Sequence, residues 1–265
     1  MKTKLFLVTA FIATLFCSCG TPNVAYFNDM GDKQRVEVMK KADIRLRPDD
    51  KISIVINSKD PLLADLFNLP IISHRVGYTQ ASSLNSSQQM SVYTVDRNGN
   101  IDFPVLGKLL VNGMLREEVA ETIKQMLIMK NLVKDPVVIV EYANLGFNVM
   151  GEVNKPGRYS FDRDHLTILD AISMAGDLTI QGRRYNVFVM REEGDERVTY
   201  RLNLQNAQEL LQSPAYYLQQ NDVVYVEPNE FRSRQTTVNG NNVLSASFWI
   251  SVASLLTSIA VLIVK

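Results

Sequence analysis

The sequence predicts an α+β protein made of two consecutive strand-rich modules and closed by one long apolar helix. Three observations predict it. A turn–aspartate–strand pattern occurs twice, as Leu46-Arg47-Pro48-Asp49-Asp50-Lys51-Ile52-Ser53-Ile54-Val55-Ile56 and as Leu218-Gln219-Gln220-Asn221-Asp222-Val223-Val224-Tyr225-Val226. Short alternating apolar segments are punctuated by Asn-Gly and Pro-Gly turns, with two helical stretches among them. The last stretch, Val243 to Val264, reads VLSASFWISVASLLTSIAVLIV and carries no charge.

The first module starts at Leu46. Pro48 presets a turn, and Asp49 tolerates a left-handed backbone better than most residues. Residues 57 to 90, with their Ser/Gln/Asn cluster at 80 to 89, read as a long surface loop. Ser91 to Val95 is then a strand, Asn98-Gly99 a hairpin turn, and Ile101 to Val105 the return strand. A helix carries Leu115, Val119, Ile123, Met126 and Leu127 on one face, with Glu117 and Glu118 in the first turn, where the helix dipole favours acids. Asp135-Pro136 breaks the chain before the closing strand Val137 to Tyr142.

In the second module a strand through Val149 runs into Pro156-Gly157, where the glycine is expected to supply the positive φ of a type II turn. A short helix follows at Thr167 to Ala175, capped by Gly176. Strands at Asn186–Arg191, Arg197–Leu204 and Val223–Val226 complete it, and Pro228 to Asn242 is a polar connector.

As one helix, the twenty-two residues from Val243 would reach about 33 Å, enough for the hydrocarbon core of a bilayer. At 100° per residue, Ser247, Ser251, Ser254 and Ser258 fall on one face; Trp249, Val252, Leu256 and Ile263 fall opposite. Two readings stand at this point. One is a single-pass anchor whose serines let helices pack closely. The other is a ring of such helices around an aqueous path, serines inward and the apolar set in lipid. A buried helix of a soluble domain is a distant third.

The N-terminus reads as a targeting signal. Lys2 and Lys4 precede the twelve-residue apolar run Leu5–Phe16, which is too short to span a membrane. Phe16-Cys17-Ser18-Cys19-Gly20 resembles a bacterial lipobox, which implies cleavage after Ser18 and a covalent lipid on Cys19. The mature chain then has no thiol pair for a disulfide, so an exported protein relies on its cores. Gly20, Thr21, Pro22 and Asn23 bring no acidic residue close to Cys19, and by resemblance to lipoprotein sorting this favours the inner leaflet of a Gram-negative outer membrane. Residues 20 to 43 read as a polar tether.

Composition excludes some classes. Lys+Arg 28 balances Asp+Glu 28, so no polyanion-binding surface is indicated and nucleic acid is not an expected partner. His74 and His165 lack a metal-like partner at helical spacing, and no P-loop, Gly-x-Ser-x-Gly or Gly-x-Gly-x-x-Gly occurs. Asp162 and Asp164 flank Arg163 as paired glycosidase carboxylates could, but acids in a polar turn are ordinarily solvated. Arg183-Arg184 and Arg232-Ser233-Arg234 could meet an acidic glycan or lipid headgroups; solvation is again the simpler reading. No enzyme, cofactor or metal is expected.

Several motifs in order resemble the outer-membrane polysaccharide export family of the Wza type. Tyr93-Thr94-Val95-Asp96-Arg97-Asn98-Gly99-Asn100-Ile101-Asp102-Phe103-Pro104-Val105-Leu106-Gly107 is similar to the family's export-domain hairpin, and Asp135-Pro136-Val137-Val138 to its closing strand. Gly151-Glu152-Val153, Pro156-Gly157, Thr167-Ile168-Leu169-Asp170-Ala171-Ile172 and Ala175-Gly176 resemble its β-grasp-like SLBB domain. The family's Leu-x-Pro-Gly-Asp has Asp49 in place of glycine here, and Asn221 in the later copy; both residues tolerate the same backbone region. Only one SLBB module is found, which leaves open how far the chain reaches across the periplasm.

The resemblance implies this division: signal peptide 1–18, lipidated tether 19–43, export domain 44–142, SLBB domain 143–228, linker 229–242 and membrane-spanning amphipathic helix 243–265. It also implies a homo-oligomeric ring, commonly of eight subunits, with an α-helical pore. An inner-membrane co-polymerase or tyrosine kinase is the usual partner, and capsular or exopolysaccharide the cargo. The bulk of the chain is then periplasmic, with the C-terminus at the cell surface. The competing function is a non-conducting glycan-binding or adaptor lipoprotein whose terminal helix is only an anchor.

Overall fold

Three isoleucines spaced by two, Ile52, Ile54 and Ile56, put one apolar face on strand β1 (Lys51–Asn57), and all three are buried. In the computed structural model, which describes residues 23–41, 43–60, 63, 66–68, 92–194, 196–238 and 240–264, this strand is the centre of the first module. Cys19, His74, most of the 57–90 segment and the side chain of Ile263 lie outside the described residues.

Strand β1 pairs antiparallel with β2 (Val92–Thr94) on one side and β5 (Val137–Tyr142) on the other. Helix α1 (Arg116–Met129) buries Val119, Ile123 and Leu127 in the same core. The Glu118 carboxylate accepts from the Leu115 amide at 2.8 Å, satisfying a donor at the helix start. The hairpin differs from the expected one. The Asn98-Gly99 turn forms, with the Asp96 carboxylate accepting from the Asn98 and Asn100 amides at 2.9 and 2.8 Å. Yet β2 pairs with β1, while β3 (Asn100–Phe103) pairs one step later with β4 (Gly107–Leu110). The reason is local: Val105 takes a left-handed φ of 67° and Gly107 one of 82°, so the chain turns back between them and the expected return strand ends at Phe103.

The second module is a five-stranded mixed sheet in the order β10-β9-β12-β6-β7. Its strands are β6 (Gly146–Gly151), β7 (Gly157–Ser160), β9 (Gly182–Glu193), β10 (Glu196–Leu202) and β12 (Val223–Pro228), of which β6 and β12 run parallel. A small pair, β8 (Leu166–Thr167) and β11 (Tyr217–Leu218), and helices α2 (Ile168–Met174) and α3 (Ala207–Leu211) complete it. Phe147, Val149, Ile168, Ala171, Val187, Val189, Val224 and Val226 fill a second core, separate from the first. Thr167 and Asp170 cap α2 reciprocally at 3.1 and 3.0 Å, and Gly176 at φ 73° ends it as expected.

The Pro-Gly turn differs from expectation. Gly157 is not in the left-handed region; the glycine that needs it is Gly151, at φ 91°. There β6 closes against β12 so tightly that a Cβ on Gly151 would lie 2.1 Å from the Val226 carbonyl oxygen. Gly151→Ala is therefore expected to cost more than about 1 kcal/mol, read as a lowered thermal midpoint of the second module; an unchanged midpoint would mean that β6 and β12 separate easily.

The turn–aspartate–strand echo is real in geometry. Asp49 and Asn221 sit at φ 70° and 64°, and the aspartate after each is buried. Asp50 accepts from the Arg47 amide at 2.9 Å, and Asp222 from the Gln219 amide at 2.8 Å, three residues back in both cases. Each carboxylate thus locks its own turn. Burial pushes both carboxyls above their ordinary range, against the lowering effect of those amides and, for Asp222, of Arg191.

The two turns also join the modules. Arg47 donates to the Glu192 carbonyl at 3.0 Å and to Gln219 Oε1 at 2.8 Å. Gln220 bridges the Asn144 carbonyl and the Gly146 amide. Arg116, at the start of α1, pairs with Glu117, Glu141 and, across the joint, Asp164 at 2.9 Å. Asp164, weighed above as a solvated acid, is spent on that contact. Of the segment read as a polar tether, residues 23–41 lie along the second module, because Phe27 packs on its core and three of their amides reach its carbonyls.

Candidate functional site

The terminal helix is positioned by a short, heavily bonded connector. After β12, Asn229 caps helix α4 (Glu230–Arg234) by accepting from the Arg232 amide at 2.9 Å. Arg183 pairs with Glu227 at 3.2 Å, Arg232 with Glu152 at 3.1 Å, and Arg234 with Glu230 at 3.2 Å. Three of the four arginines that the sequence offered to an acidic glycan are therefore matched by nearby carboxylates, while Arg184 is buried and donates to the Thr179 and Gly182 carbonyls. Asn241 then ties back to Phe231 and Arg234.

The helix is shorter than expected. A 3₁₀ turn occupies Asn242–Leu244, and Ser245 is extended at φ −82°, ψ 138°. Its hydroxyl accepts from the Phe248 amide at 3.3 Å, an N-cap that starts α5 at Ala246 rather than at Val243. Helix α5 spans Ala246–Val264, nineteen residues, or about 28 Å at the usual rise. Among the described residues, no helix is long and apolar enough to cross a membrane.

Along α5 the described side chains are exposed or half-buried, and none is buried in the protomer. Trp249 is 59% exposed and Leu256 60%, as befits a helix with no partner for its apolar side, and Val252 is half-buried. Trp249 Nε1 donates to the Val243 carbonyl at 2.8 Å, pinning the 3₁₀ turn to the helix start. Ser247, Ser251, Ser254 and Ser258 are described on the helix. Ser251 donates to the Ser247 carbonyl at 2.9 Å and Ser258 to the Ser254 carbonyl at 2.8 Å. Such back-bonding satisfies a hydroxyl proton within the helix and leaves the oxygen free to accept.

Away from the helix, a cleft of about 310 Å³ lies at the joint between the modules, lined by Ile44, Arg116, Tyr142, Asp164 and His165 among others. His165 Nδ1 is buried there without a hydrogen-bond partner, and its ring meets Tyr217 edge-on. Among the described residues, no group of three His, Cys, Asp or Glu side chains is placed to hold a metal ion. The sequence reading missed two arginines: Arg116, which gathers three carboxylates, and Arg191, which is buried on Asp222.

Comparison with known proteins follows the two cores. Residues 38–143 match the family described as polysaccharide biosynthesis/export protein, and residues 146–226 match the SLBB domain. The chain is similar to the EPS I polysaccharide export outer membrane protein EpsA of Ralstonia nicotianae, 30% identical over 143 residues, covering 52% of this chain and 36% of that protein. The protein of the same name from Ralstonia solanacearum is 28% identical over 145 residues, covering 53% and 37%. The matched region thus spans little more than a third of these relatives' length. With an export domain joined to an SLBB domain, this chain belongs to the polysaccharide export protein family, a transport family and not one of enzymes.

Proposed function

We propose that the chain is the subunit of an outer-membrane translocon that passes capsular or exopolysaccharide through a homo-oligomeric ring. In this reading Cys19 carries the lipid, residues 44–142 and 143–228 act as periplasmic export and SLBB domains, and the α5 helices of the ring line the path through the membrane. The observation that carries it is α5 itself: a chargeless helix, exposed along its length, with serines on one face and apolar side chains on the other. Exposed apolar surface of that extent in water is unfavourable, and lipid on one side with water on the other relieves it. No single helix among the described residues is long and apolar enough to cross a membrane, so this reading needs several copies of α5 together. A closed ring does not need each helix to be apolar all round, since its inner face is hydrated. An inner-membrane co-polymerase or kinase is the expected partner.

The second reading, an adaptor whose helix is only an anchor, draws on the back-bonded serines, whose protons need no water. One variant separates the two. Ser251→Leu with Ser254→Leu is expected to abolish polysaccharide export while the ring still assembles, measured as surface polysaccharide beside native-gel size. Unchanged export in that variant would remove the pore. An epitope after Lys265 is expected to be labelled on intact cells; labelling only after permeabilisation would favour the anchor.

A further inference from the structure

Residues 23–41 have no apolar periodicity, yet they are held along the second module at many points. The Phe27, Asn28 and Met39 amides donate to the carbonyls of Leu204, Gln205 and Leu211 at 3.2, 2.7 and 2.7 Å. The Asp29 carboxylate accepts from the Ala207 and Gln208 amides at 2.7 and 3.2 Å, supplying part of the cap of α3 that the module lacks by itself. Gln205 Nε2 donates to the Asn23 carbonyl at 2.7 Å. Phe27 is left-handed at φ 53°, a conformation unfavourable for a bulky residue, which persists only where packing enforces it.

Tyr26 makes the most specific contact. Its ring lies under the guanidinium of Arg184, 5.4 Å from centroid to carbon, and its hydroxyl donates to Asp177 Oδ1. Arg184 is only 7% exposed and donates to the carbonyls of Thr179 and Gly182. The same segment, Asp177–Arg184, receives the other end of the chain. The Asn229 amide donates to the Gln181 carbonyl at 2.7 Å, Pro228 lies across from Gly182 in the sheet, and Arg183 pairs with Glu227. Ile180, in the middle of this segment, is 75% exposed.

We propose that residues 23–41 form a docked strap, with Tyr26 as its clamp, which fixes the N-terminal anchor to the very segment from which the connector to the terminal helix departs. Asn23 is four residues from Cys19, at most about 14 Å of extended chain. The acyl chains and α5 therefore leave the protomer side by side, and the exposed Ile180 edge of the second module is held against the lipid surface. This inference rests on the lipidation of Cys19 proposed above; Tyr26 acts as a positioning residue, without contact to cargo.

Two measurements on the full-length chain test it. Hydrogen exchange is expected to show the Phe27, Asn28 and Met39 amides protected at least tenfold over open chain, and Tyr26→Ala with Asp29→Ala is expected to remove that protection. In proteoliposomes, a fluorophore on Ile180→Cys is expected to be quenched by headgroup-labelled lipid, and the same double variant should relieve the quenching. Exchange at the open-chain rate would overturn the strap, and an unquenched probe on protein whose intact mass includes the acyl chains would overturn the membrane contact. Tyr26→Phe, which keeps the ring over Arg184, should fall between. A mature mass without acyl chains removes the lipidation reading instead, so the two failures are told apart.

Discussion

Asp222→Ala is expected to lower the stability of the second module by about 3–5 kcal/mol, the usual effect of stripping one partner from a buried ion pair. Asp222 is 1% exposed and Arg191 4% at the side chain, with Nη2 and Oδ2 2.8 Å apart. Arg191 also donates to the carbonyls of Pro214 and Tyr217, and Asp222 accepts from the Gln219 amide. Removing the carboxylate leaves a guanidinium buried without its counter-charge and unlocks the turn at Asn221. Urea denaturation followed by circular dichroism checks it. Arg191→Met with Asp222→Leu should recover much of the loss, since both charges then leave together, but not all of it, because the Gln219 amide still loses its acceptor. A loss below about 1 kcal/mol for Asp222→Ala would mean that water reaches the pair.

Leu256→Asp is expected to abolish membrane insertion, whereas Ser254→Asp keeps it. The two positions lie on opposite sides of α5, and a charge at the centre of a membrane helix costs about 2.5–3.5 kcal/mol where it faces lipid. In a ring that cost recurs in every subunit on the Leu256 face, while on the Ser254 face it is relieved by water in the path. Outer-membrane fractionation and native-gel size of both variants read the difference. Equal tolerance at the two positions would leave neither face in lipid and would sink the translocon reading. Equal loss would mean that both faces are dry, as in a lone anchor.

Much of the local architecture was legible in residue order. The alternation Ile52-Ile54-Ile56 marks a strand with one buried face, and the spacing of Val119, Ile123 and Leu127 marks a helix with one buried stripe. Asp49 and Asn221 announce left-handed turns because few other residues occupy that region cheaply. The serine and apolar faces of α5 follow from a period of 3.6 residues, and they needed only a start point, which the Ser245 cap shifted by three residues.

What residue order left open is what depends on which strands meet. The turn at Asn98-Gly99 was plain, but an antiparallel partner is chosen by the whole sheet, and β2 joined β1 because Ile52 and Tyr93 share one core. Arg191 carried a faint signal, an arginine in the inward register of Val187 and Val189, but its meaning waited on the register that sets β9 against β12 and brings Asp222 beside it. The segment 23–41 carried no periodic signal at all, since its bonds run from backbone amides and single side chains to a surface formed some 180 residues later. Sequence by itself determined most of the longer strands, the two longer helices of the modules and the chargeless helix, because these rest on short-range periodicity and turn chemistry. Tertiary structure alone decided the buried arginine–aspartate pair, the joint through Arg47 and Arg116, and the docking of the strap, because each requires groups far apart in the chain to be desolvated together.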